Sequence, residues 1–152
     1  MIRRVLVPLD GSEVAEAVLP YVEELAKRLG ATVRLIRVVE TTVQEMMALG
    51  TEAVRMVEAV EEARQAKRKE VGDYLARVAD RLRREDIDAS WQIVEGRAAD
   101  AIVQVAHADV ADLLALSTHG RSGLDRAVFG SVAAEVMGKV RIPMLLVKAA
   151  ER

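Results

Sequence analysis

The stretch STHGRSGLDRAVFGSVAAEV, residues 117–136, contains residue types that can hold an anion. Ser117 is small enough to let a ligand approach the backbone, and Gly120 can adopt the positive φ that turns successive N–H groups inward. Gly130 and Ser131 begin a predicted helix whose first N–H groups lack an internal acceptor. Ser131 is expected to cap this helix or to donate its hydroxyl to a phosphate oxygen. These two anion-binding segments, the turn at Gly120 and the helix start at Gly130, lie ten residues apart. Together they suit a di- or triphosphate better than a single carboxylate.

The same glycines also have a simpler interpretation, in which each one only turns the chain or caps a helix. The segment does not match the phosphate loop GxxxxGK[ST], since no lysine lies between Gly123 and Val136. The first turn of the chain does not match GxGxxG either. Composition of the loop alone therefore leaves both interpretations open.

Length and composition predict one domain over residues 1–152 with an aliphatic core, since 51% of the residues are hydrophobic and only 3% aromatic. A net charge of −2 argues against a nucleic-acid partner. The absence of cysteine excludes disulfides and thiolate metal sites, and two histidines are too few for a histidine-rich metal site. We predict no metal-ligating residues and no catalytic set.

No run of residues approaches the roughly 18 apolar positions that a membrane span needs. The amino-terminal MIRRVLVPLDGS combines a short apolar run with acidic and turn residues, which predicts a buried strand and not a signal peptide. We therefore expect no membrane partner and a cytoplasmic location.

Hydrophobic spacing predicts alternating strands and helices. The strands are predicted at 5–9, 32–40, 89–95, 111–118 and 142–149, and the helices at Glu13–Leu29, about 51–85, 97–108 and Ser131 to about Val140. The residues expected to face inward are Ala17, Val18, Tyr21, Val22, Leu25 and Leu29 in the first helix, Val71, Leu75, Val78 and Leu82 in the second, and Ile102, Val105 and Ala106 in the third. Ser12 and Gly30 are predicted to cap the first helix. Residues 41–50 are predicted to be a loop or a short helix.

This alternation predicts an α/β fold of three layers, a doubly wound, five-stranded parallel sheet with helices on both faces. Because the first strand is central in the common orders of such sheets, we expect strand order 3-2-1-4-5. In such a sheet a ligand binds at the carboxyl ends of the strands, where the strand order reverses. The loop PLDGS after the first strand and the loop STHGRSG after the fourth are neighbours at that reversal. The predicted binding crevice lies between them.

The two ends of the chain, RRVLVPLDGSEVAEAVLPYVEELAKRLGATVRLIRVVE and STHGRSGLDRAVFGSVAAEVMGKVRIPMLLVK, closely resemble the universal stress protein family. The resemblance extends over the whole chain and implies the adenine nucleotide alpha hydrolase-like fold. The family motif is glycine, two residues, glycine, nine residues, then glycine and Ser or Thr. Gly120, Gly130 and Ser131 match it, whereas Ser117 stands at the position of the first glycine.

The resemblance implies membership of the ATP-binding subclass and a site for ATP, AMP or ADP, with Mg²⁺ expected beside the phosphates. By position, Pro8, Leu9 and Asp10 would border the adenosine, with Asp10 near the ribose or near the metal-phosphate group. Val38 would form a wall against the adenine. The residues implied for the floor and the phosphates are Leu116, Ser117, His119, Gly120, Gly130, Ser131, Val132 and Ala133.

The family also implies a homodimer, which fits the exposed apolar edge that the last strand, 142–149, would otherwise leave. We expect a nucleotide-dependent switch or signalling module in the stress response. Two alternatives stay open at this point: a slow ATPase or phosphotransfer enzyme, and a nucleotide-free dimer that acts through protein contacts.

Overall fold

The computed structural model describes residues 1–40, 53–119 and 130–149, and the side chains of 53–55 are left out of the description. The elements are β1 Arg4–Pro8, α1 Glu13–Glu16, α2 Leu19–Leu29, β2 Thr32–Val39, α3 Ala53–Arg84, β3 Ala89–Glu95, α4 Ala98–Ala108, β4 Leu113–His119, α5 Ser131–Lys139 and β5 Met144–Ala149. Predictions for residues 41–50 and for Gly120 fall outside these residues. No helix within the described ranges is long and apolar enough to cross a lipid bilayer.

The five strands form one parallel sheet in the order β3-β2-β1-β4-β5, which confirms the predicted fold and strand order. β1 is central, and its Val5 pairs with Val33 of β2 on one side and with Leu113 of β4 on the other. The strand order reverses between β1 and β4. The carboxyl ends of these two strands therefore flank the crevice expected of this fold.

One face of the sheet is covered by α1, α2 and α3. Val5 and Val7 of β1 pack there with Leu35 of β2, and all three are fully buried. The predicted stripe of α3 is confirmed, because Val71, Leu75, Val78 and Leu82 are all buried. The amino-terminal half of α3 is exposed from Met56 to Glu70, as its polar sequence predicts.

The other face is covered by α4 and α5. Leu6, Ile36 and Leu114 point to this side and are fully buried. The residues that cover them include Ile102, Val105 and Ala106 of α4, as predicted, and Ala133 and Val136 of α5. Because α5 follows β4 and runs back along the sheet, its first residues lie at the carboxyl edge.

The predicted helix Glu13–Leu29 is wrong in its continuity, since it divides into α1 and α2. Pro20 explains the break, because proline has no N–H to donate to the preceding turn and is accommodated only in the first turn of a helix. Tyr21 is 54% and Leu29 46% exposed, so the prediction that both face inward is wrong. The predicted cap at Gly30 is confirmed, with a left-handed φ of 64°.

Candidate functional site

The turn after β1 is built around the Asp10 carboxylate. Its Oδ1 accepts hydrogen bonds from the Ser12 amide at 2.9 Å and from the Ser12 hydroxyl at 2.5 Å. The same hydroxyl accepts a hydrogen bond from the Ala15 amide at 3.1 Å, which confirms Ser12 as the cap of α1. The turn is also fixed by Leu9, which is buried and donates its amide to the Ile36 carbonyl.

Asp10 is held in its ionised form. Partial burial raises its pKa, but the two hydrogen bonds from Ser12 and the nearby Arg37 guanidinium outweigh this effect, so the pKa lies below its usual value. Among the residues that the structure describes, the other oxygen, Oδ2, has no hydrogen-bond partner. Asp10 therefore offers an exposed, charged acceptor at the carboxyl end of β1.

Arg37 is a part of this region that the sequence analysis missed. Its Nη1 lies 3.2 Å from the position that a Cβ on Gly11 would occupy, and Gly11 has φ +85°. The positive φ favours glycine at this position, and the guanidinium lies close enough that a Cβ would have to displace it slightly. The only signal in the sequence was a basic residue next to Val38 in an otherwise apolar strand end.

Val38, the predicted wall for an adenine, lies near the carboxyl end of β2. It is half-buried, pairs with Val94 of β3, and packs against the core on the α4 side. Pro8, the last residue of β1, is also half-buried and pairs with Ile36 of β2. These residues leave partly exposed apolar surface next to the charged Asp10.

The end of β4 carries an unusual hydroxyl. Ser117 Oγ is buried and has no hydrogen-bond partner within the described part of the chain. Ser117 lies in regular extended strand beside Val147, without the positive φ that would strain a serine. Its neighbours differ in exposure, since Leu116 is buried in the core and His119 is exposed at the last position of the strand.

Within the residues that the structure describes, no side chain caps the amino end of α5. Gly130 is the N-cap residue, with φ −54°, and its carbonyl accepts the first intrahelical hydrogen bond from Ala134. Ser131 is the first helical residue, so the prediction that it caps the helix is wrong. The backbone N–H groups of Ser131, Val132 and Ala133 consequently have no acceptor inside the helix. Gly130, Ser131 and Val132 are exposed, whereas the Ala133 side chain faces the core.

An ionic cluster joins α5 to the start of α4. Both Glu135 carboxylate oxygens accept hydrogen bonds from Arg97, and Lys139 donates to Glu135 and to Asp100 at 2.7 Å each. These partners lower the pKa of Glu135 to about 2. Glu40, after β2, accepts a hydrogen bond from the Ala98 amide at 3.2 Å and so caps α4. These contacts join segments far apart in the sequence and were not predicted.

The structure brings most of the predicted residues to one edge of the sheet. The ends of β1, β2 and β4 and the start of α5 supply an ionised acceptor, an apolar wall, a buried hydroxyl and free backbone amides. Gly120 lies outside the residues that can be placed. In the described ranges no group of three or more His, Cys, Asp or Glu side chains is arranged to hold a metal. The arrangement suits an anionic ligand that also has hydroxyls and a flat apolar part.

Comparisons with known proteins agree with this fold and cover nearly the whole chain. A model described as the Universal stress protein family matches residues 1–148. Universal stress protein MJ0531 of Methanocaldococcus jannaschii is 28% identical over 96% of this chain and 82% of its own length. Universal stress protein MJ0577 of the same organism is 25% identical over 97% of this chain and 96% of its own length.

Solved structures share the fold at lower sequence identity. The structure of MJ0577 superposes with a TM-score of 0.81 at 24% identity and covers 100% of this chain and 99% of that one. A universal stress protein in complex with cAMP has a TM-score of 0.71 at 20% identity, with 98% of each chain covered. One from Archaeoglobus fulgidus in complex with dAMP has a TM-score of 0.63 at 18% identity, covering 97% of this chain and 98% of that one.

Proposed function

Because the chain belongs to the universal stress protein family, we propose that it binds an adenine nucleotide, ATP with Mg²⁺, at the carboxyl ends of β1 and β4. The observation that carries this proposal is the amino end of α5, which no side chain of the described residues caps and where three backbone N–H groups lack an acceptor in the helix. Free amides and the partial positive charge of the helix dipole favour phosphate at this position. The buried Ser117 hydroxyl, which lacks a partner among the described residues, supports the same placement from β4.

The adenosine is proposed to lie across the ends of β1 and β2. Val38 contacts the base, with Pro8 and Leu9 along its border, and Asp10 Oδ2 accepts hydrogen bonds from ribose hydroxyls. This assignment uses Asp10 in the ionised state that Ser12 and Arg37 favour. The related structures with cAMP and dAMP share the adenine, which is the part of the ligand that this wall would contact.

The phosphates are proposed to lie between β4 and α5. The residues assigned to them are Ser117, His119, Gly120, Gly130, Ser131, Val132 and Ala133, with Leu116 as part of the floor. Mg²⁺ usually binds in proteins through few protein ligands together with phosphate oxygens and water. We assign it no ligand from this chain, and its role when bound is to neutralise phosphate charge.

We further propose that the chain acts as a cytoplasmic homodimer whose nucleotide state changes its contacts with a partner protein. β5 is an outer strand of the sheet, and Met144, Leu145 and Leu146 in it are only half-buried. Pairing of β5 with its own copy would satisfy the free strand edge and cover these side chains.

Calorimetric titration tests the nucleotide proposal. Protein freed of co-purified nucleotide is titrated with Mg-ATP, Mg-ADP, AMP and cAMP, and with Mg-GTP as the control for the base. We expect saturable binding of adenine nucleotides with GTP at least tenfold weaker. Equally tight binding of GTP would refute the proposed contact of Val38 with the adenine base. If the folded protein binds none of these nucleotides, the nucleotide proposal is wrong.

A further inference from the structure

A cavity of about 400 Å³ opens at the amino ends of β1, β2 and β3, at the edge of the sheet opposite the proposed nucleotide site. Val5, Leu6 and Ala111 form apolar parts of its lining, and Arg4, Arg34 and Asp109 are the charged groups. Its volume lies within the range of small-molecule sites. The roles proposed above leave this cavity unused.

Arg34 forms a fixed wall of the cavity. Its Nη1 donates to Ser90 Oγ at 3.2 Å, its Nη2 donates to Gln92 Oε1 at 2.8 Å, and its Nε faces Asp109 Oδ2 at 3.5 Å. This last contact is an ion pair without hydrogen-bond geometry, and both atoms are buried without a hydrogen-bond partner in the described structure. Asp109 thus balances the charge of Arg34 but leaves polar groups that a native structure normally satisfies.

Arg4 contributes a guanidinium group that is only partly hydrogen-bonded within the described residues. Its backbone amide is held by Asp112 Oδ2 at 2.9 Å, and its Nη1 donates to the Asp109 carbonyl at 3.1 Å. For the remaining guanidinium N–H groups, the described residues provide no acceptor. Arg34 is paired with Asp109, and the Asp112 carboxylate, whose pKa the Arg4 charge helps to lower, lies next to Arg4. Arg4 therefore offers a partly free pair of guanidinium donors, the arrangement that arginine uses for carboxylates and phosphates.

The turn that presents Asp109 is strained. Val110 has φ +50°, which is unfavourable for a β-branched residue, and its side chain is 65% exposed. The conformation places the Asp109 carbonyl on Arg4 and the Asp109 carboxylate against Arg34. Strained backbone persists where the surroundings enforce it and is concentrated at functional sites.

We propose that this cavity binds a small molecule with an oxyanion next to a hydroxyl. The oxyanion, a carboxylate or a phosphate monoester, accepts hydrogen bonds from the free N–H groups of Arg4. The hydroxyl donates to Asp109 Oδ1, because Oδ2 is buried against Arg34 Nε and closed to a ligand. The apolar lining contacts the carbon skeleton of the ligand. This inference does not depend on the proposed nucleotide binding, since the two sites lie at opposite edges of the sheet.

Amide chemical shifts measured by NMR during titration test the inference, with malate as the carboxylate probe, glycerol 3-phosphate as the phosphate probe and glycerol as the uncharged control. We expect at least one anion, but not glycerol, to produce saturable shifts at the amides of Arg4, Ala108, Asp109 and Ala111. The probe that saturates identifies the preferred oxyanion. If neither anion shifts these amides, the inference is wrong.

Two neighbouring arginines provide a matched pair of variants. Arg4→Gln removes the proposed donor, whereas Arg3→Gln removes the same charge from the next residue, which does not line the cavity. We expect Arg4→Gln to weaken probe binding at least tenfold and Arg3→Gln to change it less than twofold. Equal losses in both variants would show only attraction to surface charge and would overturn the proposal. Ala108→Phe, which fills the cavity from its rim, is expected to weaken binding as Arg4→Gln does, and unchanged binding would count against it.

Discussion

At the scale of single residues, Ser117 is the position at which the chain departs from the glycine of the family motif. Its hydroxyl is buried at the carboxyl end of β4 and finds no partner among the described residues. An unpaired buried hydroxyl destabilises a protein by about 1–3 kcal/mol, whereas a ligand oxygen or nitrogen can satisfy it. We therefore interpret the Ser117 hydroxyl as a contact to the nucleotide, one that the glycine of the family motif could not make.

Removing this hydroxyl tests the interpretation. Ser117→Ala and Ser117→Gly are both expected to lower the affinity for Mg-ATP about fivefold, because one hydrogen bond contributes about 1 kcal/mol. Calorimetry on both variants measures the effect, with thermal melts to verify the fold. Unchanged affinity in both would mean that the hydroxyl does not touch the ligand.

The sequence could predict the residues whose chemistry depends on their own type and neighbours. Ser12 and Gly30 were identified in this way as caps, because cap residues act within a few positions of themselves. Arg37 and Arg97 could not be identified. Arg37 matters because β2 lies beside the turn at Gly11, and Arg97 because α4 packs beside α5, so both contacts join segments far apart in the sequence.

At the scale of the elements, the end of α4 contains a residue poorly suited to its conformation. Val110 occupies the left-handed position after the helix, where glycine is the usual residue. The Ala111 amide nevertheless closes the turn by donating to the Ala106 carbonyl at 3.0 Å. The strain is therefore compensated by the hydrogen bonds of the turn.

Val110→Gly is expected to increase the free energy of unfolding by about 1 kcal/mol. The left-handed conformation disfavours a β-branched residue by about 1–2 kcal/mol, and part of this gain is offset because glycine makes the unfolded chain more flexible. Val110→Ala retains a Cβ and serves as the control, with little or no gain expected. Urea unfolding of the three proteins measures the difference. A gain for alanine equal to that for glycine would show that the effect does not come from φ.

The ionic cluster between α4 and α5 should make stability depend on pH in a defined range. The pKa of Glu135 is lowered from 4.5 to about 2 by its hydrogen bonds with Arg97 and Lys139. Its contribution is therefore complete above about pH 4.5 and is lost as the pH falls from 4.5 towards 2. Glu135→Gln is expected to be less stable than the parent at pH 7, with the difference shrinking over that range.

Unfolding by urea at pH 7, 5.5, 4 and 3 measures this difference. A constant difference between parent and variant at every pH would show that the charge of Glu135 does not contribute. High salt provides an independent check, since it screens exposed ion pairs and should reduce the difference at pH 7.

The helices and strands show where pattern succeeds and where it fails. The apolar stripe of α3 and the bounds of β3 were predicted correctly, because the spacing of apolar residues is the strongest signal of secondary structure in long or strongly patterned segments. The division at Pro20 was missed because the apolar spacing continues through it, although the proline interrupts the hydrogen bonds of the helix. Ser131 was mistaken for a cap because serine favours that position, but the backbone places Gly130 there.

At the scale of the whole molecule, the strand order determines where ligands can bind. The order 3-2-1-4-5 was predictable from alternating strands and helices together with the family resemblance, and it brings β1 and β4 side by side. The same order places the cavity of Arg4 and Arg34 at the opposite edge. That cavity was not predictable, because its walls come from β1, β2, β3 and the end of α4.

The proposed dimer is tested by the mass of the protein in solution. Light scattering is expected to give twice the chain mass of 16.6 kDa. Leu146→Lys places a charge on β5 and is expected to give a monomer, while Tyr21→Lys, on the exposed side of α2, leaves the dimer intact. A monomeric parent protein would refute the proposal, as would a Leu146→Lys variant that remains dimeric.

The central claim is that the phosphates of an adenine nucleotide bind to the amino end of α5, and two glycines of that helix provide its most direct test. A Cβ added at Gly130 or at Gly138 meets no atom of the described residues within 4 Å, and thermal melts verify that each valine variant folds. Only Gly130 lies at the proposed phosphate site. Calorimetric titration with Mg-ATP is expected to show at least tenfold weaker binding for Gly130→Val and unchanged binding for Gly138→Val. Equal affinity for ATP in the parent, Gly130→Val and Gly138→Val would contradict the claim.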